Sequence, residues 1–145
     1  MKKKIRIAII YKKSNVFLDL KHYDTTYYHF FMDALKRNQK ISVTYFPSDN
    51  SFDTAKLKGK FDIILLYENW NHNVPDKLIG IDNIGIPVIA RCGDFHATKR
   101  YDIISYHEKY NIDYYFGFSH PNYFYKFYPK KFNYKTIIFC LEKSL

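Results

Sequence analysis

At 145 residues the chain has the length of one domain, and 47% hydrophobic with 20% aromatic residues excludes a disordered polypeptide. Twenty-three Lys and Arg against 14 Asp and Glu leave a net charge of +9, a balance that suits phosphate-bearing partners. Lys, Ile, Asn, Tyr and Phe nevertheless supply about half of the residues, the usage of an AT-rich coding sequence, which accounts for most of that excess.

The first apolar run, Ile5–Tyr11, is interrupted by Arg6 and followed by Lys12 and Lys13. It is too short for a signal-peptide core or a bilayer span and reads as a strand, so a cytoplasmic protein is expected. Asp24 with Thr25 and Thr26 can cap a helix whose positions Tyr27, Phe31, Ala34 and Leu35 share a face and which stops near Asn38. A strand follows at Ile41–Phe46, a turn or two of helix at Asp53–Lys58 and a strand at Phe61–Tyr67. Pro75 is placed to open a short helix through Leu78 and Ile79, which Gly80 ends. The run Ile86–Arg91 is the fourth strand. Thr98 starts a helix with Ile103, His107 and Tyr110 on one buried side, and Ile112–Phe118 is the fifth strand. A helix at Asn122–Tyr128 opens at Pro121 and is limited by Pro129, and Thr136–Leu141 is the last strand.

Runs such as Ile63–Leu66 are apolar on consecutive residues, as in strands covered on both faces, and strands alternate with helices. The expectation is a single α/β domain over 1–145: a doubly wound, mainly parallel six-stranded sheet with helices on both faces, Rossmann-like. With the common order 3-2-1-4-5-6 the ligand crevice opens above the carboxyl ends of the first and fourth strands. Cys92 and Cys140 lie in apolar strands or at their ends, which excludes a disulfide scaffold and suits a reducing compartment.

The loops at those carboxyl ends carry the candidate chemistry. Tyr11-Lys12-Lys13-Ser14-Asn15 lacks the glycines of a dinucleotide turn or a P-loop, so no NAD, FAD or P-loop nucleotide is expected. Lys12 is either an anion contact or a solvated lysine. Glu68-Asn69-Trp70-Asn71-His72-Asn73 offers a ring face on which a sugar can stack beside groups that bond its hydroxyls, or else Trp70 caps the core. In Arg91-Cys92-Gly93-Asp94-Phe95-His96, Gly93 permits a tight turn. Asp94 can orient His96 as a general base, or only cap the turn, and Arg91 can grip an anion or pair with Asp94. Ser119-His120-Pro121 opens a helix whose amino end favours an anion, with His120 a ligand contact or a cap. Cys92, His96 and His120 lack the close pairing of a zinc motif, and no metal is expected. The stretch Tyr123–Phe132 interleaves aromatics with Lys126, Lys130 and Lys131, either as a surface for anionic lipid or single-stranded nucleic acid or as a helix with its aromatic face in the core.

Taken in order, Ile-Arg-Ile-Ala-Ile-Ile-Tyr at 5–11, Phe-Asp-Ile-Ile-Leu-Leu-Tyr at 61–67, Ile-Pro-Val-Ile-Ala-Arg-Cys-Gly-Asp-Phe-His at 86–96 and Tyr-Tyr-Phe-Gly-Phe-Ser-His-Pro at 114–121 resemble the amino-terminal half of GT-B glycosyltransferases of the group 1 and spore-maturation type. The resemblance implies an acceptor-binding domain with a nucleotide-sugar domain downstream, and transfer of a sugar from a nucleotide-sugar to a glycan or lipid-linked acceptor of the cell-envelope polysaccharide kind. His96 oriented by Asp94 would be the base, with Glu68 the runner-up; Lys12, Asn69, Trp70, Arg91 and His120 would shape the acceptor pocket. No cofactor is implied besides the donor. Lys126, Lys130 and Lys131 would touch an anionic membrane at its inner face. The competing readings are a non-catalytic flavodoxin-like ligand-binding module and a basic nucleic-acid-binding domain, the latter without a supporting motif.

Overall fold

The computed structural model describes residues 3–15, 18, 29–67, 73–93, 95 and 102–137. Among the described residues there are eight strands: β1 (Ile5–Lys12), β2 (Ile41–Ser48), β3 (Ser51–Asp53), β4 (Ile63–Leu66), β5 (Lys77–Ile79), β6 (Val88–Arg91), β7 (Tyr114–Gly117) and β8 (Tyr134–Thr136). The helices are α1 (His29–Arg37), α2 (Ile103–Lys109) and α3 (Pro121–Phe124), with short 3-10 turns at Thr54–Leu57 and Ile81–Asn83.

Six strands form one sheet in the order β2-β1-β4-β6-β7-β8, and every pairing is parallel. Successive residues of β1 serve opposite faces: Ile7 and Ile9 pack with Met32 of α1 and Leu65, whereas Ala8 and Ile10 belong to the larger cluster with Ile64, Leu66, Ile103 of α2 and Phe124 of α3. Helices therefore cover both faces, as a doubly wound, Rossmann-like sheet requires.

The strand order departs from the expected 3-2-1-4-5-6. Counted along the chain, the strands of the main sheet run 2-1-3-4-5-6, the flavodoxin-like arrangement, and the winding reverses between β1 and β4. The cause is visible in β2. It shows alternate rather than continuous burial and carries Pro47, which an edge strand tolerates because no neighbour needs its missing N–H. Continuously apolar β4 takes the inner place beside β1 instead.

Other expectations change locally. The segment after Pro75 is not a helix: Lys77–Ile79 is a strand paired with β3, with Leu78 buried and its neighbours exposed. Gly80, at φ +74°, opens the 3-10 turn that follows. On α1, Met32 and Leu35 pack inward and Ala34 is exposed, since two residues of helix turn about 200° away from Met32. Asp24–Tyr27, on which the cap was placed, and Thr98 lie outside the described residues, as do Ile138–Leu141 of the last expected strand, which begins earlier at Tyr134. Ile103, His107 and Tyr110 are all buried as their spacing requires. Cys92 is buried, and Cys140 lies outside the described residues.

The aromatic segment 123–132 goes to the core. Phe124 stacks on Tyr128 at 4.3 Å and on Tyr134 at 4.0 Å between centroids, and Tyr115 stacks on Phe132 at 4.9 Å. Lys126 lies over the exposed Tyr123 ring, and Lys131 pairs with Glu108 at 2.6 Å. Among the described residues no helix is long and apolar enough to cross a membrane.

Candidate functional site

In an all-parallel open sheet, strands deliver their following loops to one edge, and ligands bind where the winding reverses. Here that place is the carboxyl edge around β1, β4 and β6. Each of these strands ends in a polar or aromatic residue that the core holds: Lys12, Tyr67 just past β4, and Arg91.

Lys12 is not a solvated lysine. Its side chain is buried, its Nζ donates to Asp76 Oδ1 at 2.9 Å, and its backbone N–H donates to the Asn73 carbonyl at 2.9 Å. Asn15, fully buried, donates through Nδ2 to the carbonyls of Tyr67 at 3.2 Å and Asn73 at 3.1 Å. One amide thus bridges the two residues that flank segment 68–72. The return path is fixed as well, because the Tyr106 hydroxyl donates to the Pro75 carbonyl and the Tyr110 hydroxyl to that of Asp76. Asn15 and Asn73 have structural roles that the sequence left unassigned. For Asn15 the available signal is an amide soon after β1, the strand that ends at the switch point; Asn73 acts through its backbone carbonyl, which its side chain does not advertise.

Arg91, 1% exposed, lies with its guanidinium carbon 5.3 Å from the Tyr67 ring centroid and 5.1 Å from that of Phe118. A planar, weakly hydrated cation suits contact with ring faces, where a compact ammonium would lose its hydration without equal return. Beyond β6 the chain is held by the Cys92 N–H, which donates to the Phe116 carbonyl at 2.8 Å. The β7 side is tight: a Cβ at Gly117 would stand 2.7 Å from the Cys92 carbonyl oxygen and 2.8 Å from the Tyr134 hydroxyl. Burial pushes the Tyr134 phenol up to about 12, so it stays protonated and donates to the Ser119 carbonyl at 2.9 Å.

His120 is exposed and caps α3, its Nδ1 accepting from the Asn122 N–H at 3.1 Å. With Nδ1 an acceptor, the neutral ring carries its proton on Nε2, which can donate outward. Because α3 is a single turn, the helix amino end expected to favour an anion there is not formed to any useful length. Among the described residues no group of three His, Cys, Asp or Glu could hold a metal ion.

Of the residues assigned to the site from sequence, Lys12 and Arg91 end β1 and β6 at the same edge but on opposite faces of the sheet, Lys12 bonded to Asp76 and Arg91 against Tyr67 and Phe118, and His120 follows β7 on that edge. Glu68, Asn69, Trp70, Asp94 and His96 lie outside the described residues. They directly follow Tyr67 and Gly93, which end the β4 and β6 passages at this edge. What the described residues provide is a packed layer beneath the edge, with the Arg91 guanidinium buried against Tyr67 and Phe118 and the Asn15 amide holding the Tyr67 and Asn73 carbonyls. It has no glycine turn after β1 through which backbone N–H groups could approach a diphosphate. Comparison with protein-family models, with curated proteins and with solved structures finds no match.

Proposed function

We propose that this chain is the acceptor-binding, amino-terminal domain of a GT-B glycosyltransferase that moves a sugar from a nucleotide-sugar to a glycan or lipid-linked acceptor. The observation that carries the reading is the packed layer beneath the edge. Arg91 is buried against Tyr67 and Phe118 at the switch-point edge, between the sequence segments that hold Trp70 and His96, and a glycine phosphate loop is lacking. A site that binds hydroxyl-rich rings needs aromatic faces with a few fixed polar groups; Tyr67 and Arg91 are buried beneath this edge and Phe118 is half-buried, so in this reading the open ring face comes from Trp70. The nucleotide of the donor then belongs to a further domain.

In this reading His96, oriented by Asp94, takes the proton of an acceptor hydroxyl as its oxygen attacks the sugar C1 and the nucleotide diphosphate leaves; Glu68 is the second candidate for the base. Trp70 and Asn69 meet the acceptor ring, with Arg91 and His120 at its border. A second reading, a flavodoxin-like module that binds a ligand without catalysis, is favoured by the strand order 2-1-3-4-5-6.

Trp70 is the chain's one tryptophan, so its fluorescence reports on this edge alone. Titration with oligosaccharide and sugar-lipid fragments should give a saturable change that Arg91→Met weakens several-fold, while free nucleotides and flavins leave the signal unmoved. A flat response to the glycans with a saturable response to flavin or nucleotide would establish the module reading instead.

A further inference from the structure

The net charge of the chain is not spread evenly. Segments 3–6, 33–40 and 58–62 hold eight cations and two carboxylates, most of the +9 of the whole chain. The fold brings the three segments together at the amino edge of the sheet, opposite the candidate site. The Ile5 N–H donates to the Lys40 carbonyl at 2.8 Å, the Asp62 N–H to the Arg6 carbonyl at 2.8 Å, and Arg6 Nη1 reaches the Gly59 carbonyl at 3.4 Å. Both carboxylates are engaged within the edge, Asp62 with Arg6 at 2.8 Å and Asp33 near Lys36 at 3.8 Å. Lys3, Lys4, Lys40, Lys58 and Lys60 are exposed and form no salt bridge among the described residues, Lys3 lying near enough to Asp62 to help hold its carboxyl low.

The shape of this patch follows from the topology. Strands β2, β1 and β4 are adjacent and parallel, so their entries lie side by side, about 4.8 Å apart per strand, as an end face rather than a groove. An end face of lysines presents point charges to a plane. Among the described residues of segments 3–6, 33–40 and 58–62 no aromatic side chain is exposed on which the bases of a single strand could stack. Its one exposed large apolar residue, Ile5 at 46%, stands among the lysines, as an interfacial side chain does.

We propose that this amino edge docks the protein on an anionic phospholipid surface, with Lys3, Lys4, Lys40, Lys58 and Lys60 against the headgroups. The charge that seemed to belong to the last aromatic helix is thereby assigned to the opposite region of the sheet, since that helix spends its rings on the core and Lys131 on Glu108. One consequence is geometric. The eight residues of β1 separate the two edges by about 26 Å, so a docked protein holds its carboxyl edge away from the bilayer, facing water. The proposal stands apart from the glycosyltransferase reading and does not depend on it.

Flotation of the chain with vesicles of phosphatidylcholine alone, and of phosphatidylcholine with one third phosphatidylglycerol, tests it. Binding is expected only to the anionic vesicles, to weaken as salt is raised, and to fall at least about tenfold when the five lysines are replaced by Gln. The triple variant Lys126→Gln, Lys130→Gln, Lys131→Gln should float like the unmodified chain. Equal binding to neutral vesicles, or loss confined to the triple variant, overturns the proposal. So does a chain that ignores both vesicles while binding an oligonucleotide through the same five lysines, and that result would assign the edge to nucleic acid.

Discussion

The Asn15 side-chain amide donates to the Tyr67 carbonyl at 3.2 Å from a position with no solvent exposure. Because the same amide also reaches the Asn73 carbonyl, it closes the base of segment 68–72 as a single clamp. Removing it takes a donor from the Tyr67 and Asn73 carbonyls in a place water reaches poorly, Asn73 keeping the Lys12 N–H, so Asn15→Ala should cost about 1–3 kcal/mol in urea unfolding. Asn15→Asp should cost at least as much, because a carboxylate oxygen cannot replace the lost N–H donor. If the clamp also positions Trp70 for a ligand, both variants weaken the glycan-dependent fluorescence change; a stability loss with that response intact would make the clamp structural only.

Lys12 and Asp76 form a one-sided pair: the ammonium is buried, while half of the carboxylate side chain remains exposed. The two substitutions should therefore differ. Asp76→Asn strands a buried cation and should destabilise by about 2 kcal/mol, below the range for a wholly buried pair because Asp76 is half in water. Lys12→Met removes the charge and keeps the stem, and should cost less than Asp76→Asn. Equal losses in urea midpoints would show that the Lys12 stem packing, rather than its charge, holds this corner.

How much of this was legible beforehand depends on what each residue needed to find. Strand positions were clear wherever apolar residues run consecutively, as at Ile63–Leu66, because burial on both faces leaves a local mark. Strand order was not, although Pro47 and the alternating burial of β2 were edge signals in plain sight. Lys77–Ile79 was read as helix because Pro75 and Gly80 mark helix ends, whereas its partner Ser51–Asp53 lies too far away in sequence for local pattern to reveal. At the carboxyl edge, the position of Arg91 follows from its place at the end of a strand, whereas sequence alone cannot show that Lys12 is paired, since its partner Asp76 is 64 residues away. The same holds for the amino-edge lysines, which sit in three separate segments and become one surface only through the order β2-β1-β4.

Two glycines separate space from conformation. Gly117 has an ordinary φ, but an added Cβ would stand 2.7 Å from the Cys92 carbonyl oxygen, a backbone atom that cannot swing aside. Gly117→Ala should cost about 2–4 kcal/mol and loosen the β6–β7 contact beneath the site. Gly85 is the reverse case, with φ +71° and nothing within 4 Å of a Cβ. Gly85→Ala should then cost only the left-handed backbone penalty, about 1 kcal/mol. Differential scanning calorimetry on both variants checks the ranking, and a Gly117→Ala melting temperature at or above that of Gly85→Ala would refute the steric account.

His107 is the buried titratable group with the clearest pH signature. It is 1% exposed, stacked on Tyr115 at 4.9 Å and close to Tyr128 and Phe132, and burial pushes its imidazole pKa down from 6.5 to about 3. The unfolded chain therefore takes up a proton below about pH 6.5 that the folded chain refuses until much lower pH. The stability that this neutral ring supplies is complete above the unfolded pKa and is lost as pH falls from there toward the folded one, at up to about 1.4 kcal/mol per pH unit. Carboxylates such as Asp62, held low by Arg6, begin to add their own loss only below about pH 4, which leaves a window in which His107 is the shifted histidine among the described residues. His107→Phe keeps an aromatic ring among Tyr115, Tyr128 and Phe132 and removes the titration. Urea unfolding between about pH 7 and pH 4.5 should show a falling stability in the unmodified chain and a markedly shallower slope in the variant. Parallel slopes would place the acid sensitivity of this fold on other groups.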